Sequence, residues 1–143
     1  MIHVVSGVAI DGDLVLMGKR KPGGLRPELW ELPGGKQEII ETHPLSMESP
    51  RSALAREWKE ELDVEIASVT PAISSFNLEL EDFLHVALYE VVFTGDLKPL
   101  DHTELRWVTP FFAVKHLPCS PGFYLHYADL RRYMQKTGRW SES

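Results

Sequence analysis

The chain is poor in cysteine, in long apolar runs and in positive charge. One cysteine, Cys119, cannot close an internal disulfide, which excludes a disulfide-stapled scaffold and suits a reducing, cytoplasmic setting. The longest apolar stretches, Ile2–Ile10 and Phe83–Phe93, are broken by polar residues and fall short of the roughly 20 residues a spanning helix needs. No membrane partner and no secretion signal are read here. Lys and Arg total 15 against 21 Asp and Glu, for a net charge of −6, which argues against polymeric nucleic acid as a partner and favours cation binding. No low-complexity tract or repeat is present, and 143 residues suffice for a single domain, residues 1–143, with its own core.

What is present alternates between strand and helix patterns. Ile2–Ile10 and Leu14–Met17 flank the turn Asp11-Gly12-Asp13 and read as a β-hairpin. Pro22 to Pro27 has loop chemistry, and Leu29–Leu32 is a short strand ended by Pro33-Gly34-Gly35. Ser49-Pro50 opens a helix running to about Leu62, because Ser caps well and Pro at the first position loses no hydrogen bond. Val64–Val69, Ala72–Leu80, Phe83–Phe93 and Leu105–Val108 read as strands. Phe111–His116 and Tyr124–Gln135 read as helices.

The first of these helices carries the chemistry. At about 100° per residue, Glu57, Glu60 and Glu61 fall within one narrow arc, while Leu54, Ala55, Trp58 and Leu62 form the neighbouring arc that packs on the sheet. Like charges at i and i+4 repel, and a divalent cation reverses that penalty. Mg²⁺, a hard ion that prefers oxygen ligands, suits a carboxylate cluster meeting phosphate oxygens. A solvated acidic face with Arg56 paired to Glu60 would give the same stripe, and the flanking residues decide between the two.

Leu32-Pro33-Gly34-Gly35-Lys36, then Glu48, then Arg56-Glu57-Trp58-Lys59-Glu60-Glu61-Leu62-Asp63-Val64 resemble the Nudix box, GX5EX7REUXEEXGU, where U is a bulky apolar residue. Seven residues, Ser49 to Ala55, separate Glu48 from Arg56 as the pattern asks. Two departures stand out. Asp63 replaces the box glycine, and twelve residues, Lys36 to Met47, lie where the family has five. Asp tolerates the left-handed backbone that a glycine supplies after a helix. The extra residues, with Glu38, Glu41, His43 and Pro44 among them, are read as a bulging loop near the metal site or as a surface insertion.

The resemblance implies an α/β fold, the Nudix-type α/β/α sandwich with a mixed β-sheet. It also implies a pyrophosphohydrolase using Mg²⁺, with Mn²⁺ as a substitute. Carried over by position, Glu60, Glu61 and the backbone carbonyl of Gly34 or Gly35 hold the metal, and Glu57 orients or deprotonates water or joins the metal shell. Arg56 bridges the carboxylates, and Glu48 buttresses it or binds a second cation. Asp101 and Glu104 compete for a further catalytic carboxylate. Arg20 and Lys36 are candidate phosphate contacts. Leu32, Phe76, His85, Cys119 with the rest of the Leu117–Ser120 loop, and Val5 or Gly7 are candidates for the base pocket. His43, His85, His102, His116 and His126 lack zinc-ligand spacing and are read as surface or packing residues.

The short chain looks most like the MutT-like branch, which implies a small-molecule (deoxy)nucleoside triphosphate cut to monophosphate and pyrophosphate. Dinucleoside polyphosphates and nucleotide sugars share the same diphosphate chemistry and stay open, as does a non-catalytic nucleotide-binding module. The Leu117-Pro118-Cys119-Ser120-Pro121 loop lacks the base-reading asparagine of the 8-oxo-guanine enzymes, which argues against that selectivity. A homodimer is compatible with the family.

Overall fold

The computed structural model describes residues 1–24, 26–40 and 45–143. Their elements in chain order are β1 (Ile2–Val8), β2 (Ile10–Asp11), β3 (Leu14–Arg20), β4 (Trp30–Glu31), β5 (Gly34–Lys36), β6 (Ile39–Ile40), β7 (Ser46–Met47) and α1 (Pro50–Leu62). After them come β8 (Glu65–Val69), β9 (Ser74–Glu79), β10 (Phe83–Thr94), β11 (His102–Val108), α2 (Pro110–His116) and α3 (Pro121–Lys136).

Two sheets share the middle layer. The first runs β5-β1-β10-β8, with β9 also paired to β10. Within it β1 and β10 are parallel and the other pairs antiparallel, so the sheet is mixed. The second runs β11-β3-β2, with β4 on β3. Val5, Leu16, Leu54, Trp58 and Leu62 close one apolar cluster under α1, whereas Val8, Met17, Leu88, Phe123 and Leu130 close the other under α2 and α3. Helices therefore cover both faces, giving the expected α/β/α sandwich.

The expected hairpin is shorter than Ile2–Ile10 suggests. Only Ile10 and Asp11 pair with Leu14 and Val15, while β1 lies between β10 and β5. The reason is burial on both faces: Val5 feeds the cluster under α1 and Val8 the cluster under α3, and a central strand between helical layers satisfies both. The Lys36–Met47 insertion contributes the two-stranded ribbon β6-β7, whose Ile39, Ile40 and Met47 are exposed. Glu41, His43 and Pro44 lie outside the described residues.

Helix α1 is capped at both ends as its sequence requires. Ser52 N–H donates to Ser49 Oγ at 3.1 Å. Asp63 adopts the left-handed conformation (φ 57°, ψ 39°) and its amide donates to Lys59 O. Ala53 rather than Ala55 completes the buried face beside Leu54, Trp58 and Leu62. Trp58, fully buried, donates from Nε1 to Pro33 O at 3.1 Å, and Gly7 N–H donates to the same oxygen at 2.9 Å. This shared carbonyl ties the helix to the Pro33-Gly34-Gly35 turn. No helix among the described residues is long and apolar enough to cross a membrane.

Trp58→Ala should cost about 3–5 kcal/mol in urea unfolding, because it opens a large cavity and removes one of the two donors to Pro33 O. Glu60→Gln, exposed on the same helix, should shift stability by less than about 0.5 kcal/mol.

Candidate active site

The acidic face of α1 divides by depth. Glu60 points outward with its side chain 60% exposed, Glu57 is 17% exposed and Glu61 is 7% exposed. Arg56 organises the outer part. Its guanidinium donates to both oxygens of Glu48, from Nε at 3.1 Å and Nη2 at 2.9 Å, to Lys36 O at 2.9 Å and to Glu57 Oε1 at 2.8 Å. Glu60 Oε2 lies 3.7 Å from the same group. The bidentate Arg56 contact holds the Glu48 carboxyl below the usual carboxylate range, and the surrounding carboxylates push Arg56 up.

Two glycines let strand and helix approach this closely. A Cβ on Gly35 would fall 2.3 Å from Glu57 Cδ, and one on Gly34 would fall 1.9 Å from Val5 O. A side chain at Gly34 would run into backbone and one at Gly35 would displace the Glu57 carboxylate, so Glu57 lies directly against the β5 backbone.

Glu61 is brought against two further groups by the chain that follows α1, and against a third, Glu31, by β4. The last carbonyls of a helix lack intrahelical donors. Here Lys98 N–H donates to Leu62 O and Leu100 N–H to Glu61 O. That strap delivers Asp101 and His102 beside the acidic face. His102 Nε2 lies 2.9 Å from Glu31 Oε2 and 3.8 Å from Glu61 Oε1, and Glu31 Oε1 accepts from Arg20 Nη1 at 2.9 Å. Glu31, Glu61 and His102 each offer an atom within 4.8 Å of the others. Burial pushes the Glu61 carboxyl up to about 9, helped by the negative charges of Glu31, Glu57 and Asp101.

These residues fit a divalent cation. Glu61 Oε2 and His102 Nδ1 are buried without a hydrogen-bond partner, an arrangement that costs stability unless something outside the protein compensates it. The donors are chiefly carboxylate oxygens, the chemistry Mg²⁺ prefers. Glu57 and Glu61 with the Gly35 backbone would hold it from the helix side, with Glu60 at the rim and Glu31 and His102 beneath.

A cavity of about 420 Å³ opens over this centre, lined by Arg20, Lys21, Leu32, Lys36, Asp101, Glu57 and Glu61 among others. A second, of about 210 Å³, continues from it beneath α3. Val4, Ser6, Arg20, Glu31 and Leu32 line both. The structure thus gathers most of the expected residues at one place.

Several candidates lie elsewhere. Glu104 is exposed on β11 opposite Lys19 and faces Arg106 at 4.0 Å, so Asp101 is the carboxylate that reaches the cavity. Val5 and Gly7 turn to the α1 side of β1, where Val5 is fully buried, and the alternation of the strand puts Val4 and Ser6 on the cavity wall. The same alternation on β10 turns His85 toward His3 and Asn77 and leaves Leu84 and Val86 as lining. Phe76 packs at a tilt against His126, 4.5 Å between ring centres, and Leu78 takes the wall position. The Cys119 thiol packs into the core with Sγ 3.5 Å from Ala113 O, burial pushes it up to about 11, and Ser120, Pro121 and Gly122 line the cavity instead.

Glu31 and His102 join the cluster around Glu61 although the sequence does not single them out. Both were in view as neighbours of expected residues, Glu31 between Trp30 and Leu32 and His102 beside Asp101. Their meeting depends on β4 and β11 flanking β3, a pairing between segments 71 residues apart.

Comparison with known proteins agrees with this geometry. The family model described as NUDIX domain matches residues 1–122. A CTP pyrophosphohydrolase of Escherichia coli (strain K12) is 32% identical over 123 residues, covering 85% of this chain and 84% of that protein. A protein of Mycobacterium tuberculosis, provisionally named 8-oxo-dGTP diphosphatase 2, is 37% identical over 137 residues, covering 90% and 87%. The solution structure of the E. coli ORF135 protein superposes with a TM-score of 0.76 at 28% identity, covering 96% of this chain and 92% of that one.

The Glu61 environment predicts a pH effect in chelator. The folded chain keeps a proton that the unfolded chain releases between the ordinary 4.5 and about 9, so stability present below that window is lost as pH rises through it. Thermal unfolding with EDTA should show the midpoint falling from pH 5 to pH 9. In Glu61→Gln that decline should be smaller by a few degrees.

Proposed function

The chain belongs to the Nudix family and is a hydrolase acting on phosphoanhydride bonds, and on that basis we propose that it cleaves a (deoxy)nucleoside triphosphate to the monophosphate and pyrophosphate with Mg²⁺. The observation that carries this reading is the continuity of the two cavities. The one over the carboxylates offers Arg20, Lys21 and Lys36 to phosphate oxygens, and the one beneath α3 offers Leu78, Leu84, Val86 and Phe123 to a base. A diphosphate and a flat apolar group are thus accommodated side by side. The names of two relatives, one for CTP and one for 8-oxo-dGTP, put nucleoside triphosphates ahead of dinucleoside polyphosphates and nucleotide sugars.

A bound Mg²⁺ would supply charge neutralisation on the diphosphate oxygens and lower the proton affinity of water. The protein's own residues do the rest. Arg56 occupies Glu57 Oε1, which leaves Oε2 to take the proton of the attacking water. That water's oxygen bonds to phosphorus, the anhydride P–O bond breaks, and pyrophosphate leaves with its new charge facing Arg20 and Lys36. Glu48 and Lys36 O fix Arg56, so the orientation of Glu57 is set before substrate arrives. Asp101 stands at the cavity rim as a further acceptor.

Pyrophosphate release from CTP, 8-oxo-dGTP, a dinucleoside tetraphosphate and a nucleotide sugar should be greatest for a triphosphate and should vanish with EDTA. Glu57→Gln should lower kcat by about 100-fold or more, since both the proton acceptor and a charge are lost. Gly35→Ala, which pushes Glu57 aside, should reduce kcat comparably. Undiminished turnover in both variants would remove Glu57 from the mechanism.

A further inference from the structure

One face of the second sheet carries Arg20 and Glu31, which line both cavities. Gly18 and Arg20 are two apart on β3 and share that face. Glu31 of β4 stands opposite Gly18, and His102 of β11 stands opposite Arg20. A bulge lies between His102 and Glu104, the kind of irregularity that redirects a side chain beside a site. A Cβ on Gly18 would fall 2.6 Å from His102 Cδ2, so the imidazole fills the space that a side chain on β3 would take.

The hydrogen bonds among these residues run toward Arg20. The His102 side chain is 1% exposed, and its Nε2 lies 2.9 Å from Glu31 Oε2. A carboxylate accepts, so Nε2 carries the hydrogen and donates to Glu31. The other Glu31 oxygen accepts from Arg20 Nη1 at 2.9 Å. Both oxygens are thus engaged, and the carboxylate is held between an imidazole and a guanidinium.

Arg20 is left with most of its donors. The bond to Glu31 is its one side-chain hydrogen bond among the described residues, its side chain is 39% exposed, and a guanidinium has five N–H groups. Among the described residues it is also the one cation that lines both cavities. Its neighbours are otherwise employed, since Lys21 donates to Leu100 O and Arg26 to the Glu81 carboxylate.

We propose that His102 and Glu31 act through Arg20 as positioning residues for the phosphate bonded to the nucleoside. This rests on the reading of the two cavities as a nucleotide site. With the base in the apolar cavity and the pyrophosphate over the carboxylates, that phosphate and the bond that breaks lie at the junction, where Arg20 stands. Held at Nη1, the planar guanidinium presents its remaining N–H groups in a fixed plane, and the side chain is ordered on folding rather than on binding. His102 lines neither cavity, so its influence on a phosphate is carried by Glu31.

The test is calorimetric binding of CMP and of cytidine to the full chain in EDTA, which separates the phosphate from the cation. Wild type should bind CMP about 10-fold more tightly than cytidine. Arg20→Ala should bring the two close to parity while cytidine affinity stays the same. His102→Phe keeps a ring beside Gly18 without a donor and should reduce the CMP advantage by about 3-fold or more. His102→Gln fills that space less well but can place an amide N–H where Nε2–H was, and it should keep most of the advantage. A merely structural role for His102 would give the reverse order. In Arg20→Ala/His102→Phe the loss should equal that of Arg20→Ala alone, because the two residues act as one unit. No CMP advantage in wild type overturns the proposal, as does an advantage that survives Arg20→Ala or His102→Phe. An advantage that depends on both residues, without pyrophosphate release from CTP in Mg²⁺, supports the positioning role and overturns the hydrolytic reading alone.

Discussion

Repulsion among carboxylates held in a small buried space is the constraint on which the rest of the site depends. Glu61 is almost fully enclosed, with Glu31, Glu57 and Asp101 close enough to raise its hold on a proton. Folding alone does not favour such a cluster, since like charges and desolvation both oppose it. It persists because the surroundings leave it no alternative. Trp58 anchors α1 in the core, Arg56 ties the outer carboxylates to Lys36 O, and the Leu62 and Glu61 carbonyls draw the strap from Lys98 to Leu100 over the helix end. Stability is lost locally in a crowded, perturbed carboxylate cluster of the kind that functional sites often hold.

The sheet arrangement decides what this centre can act on. Because β1 is central and packed on both faces, its alternation gives Val5 to the core under α1 and Val4 and Ser6 to the cavity. Leu32, from the turn that Trp58 holds, lines both cavities. The carboxylate centre and the apolar cavity are therefore separated by a few residues and built from different elements, the first from α1, β5 and the strap, the second from β9, β10 and α3. Change in one need not disturb the other, which is how one catalytic helix serves many leaving groups.

Local signals were legible in the sequence where local physics decides. The Ser49-Pro50 start, the left-handed stop at Asp63 and the acidic face of α1 follow from capping and periodicity. The box spacing around Gly35 and Glu48 led to the family. What escaped was set by long-range pairing. Glu31 and His102 meet only because β4 and β11 lie on either side of β3. The choice of Val4 over Val5, and of Leu84 over His85, is a matter of strand phase, which a run buried on both faces does not reveal. Cys119 turned inward through its bridge to Trp30, a contact that no pattern within the Leu117–Pro121 loop announces.

The most direct measurement is the thermal unfolding midpoint during titration with Mg²⁺, at pH 6 and at pH 9, for wild type and for the Glu57→Gln/Glu61→Gln double variant. If the crowded carboxylates are a cation site, wild type should show a saturable rise, larger at pH 9, where a proton competes less for Glu61 than at pH 6. The double variant should show little. No rise in wild type, or an equal rise in the double variant, would mean that the cluster around Glu61 is not where the cation binds.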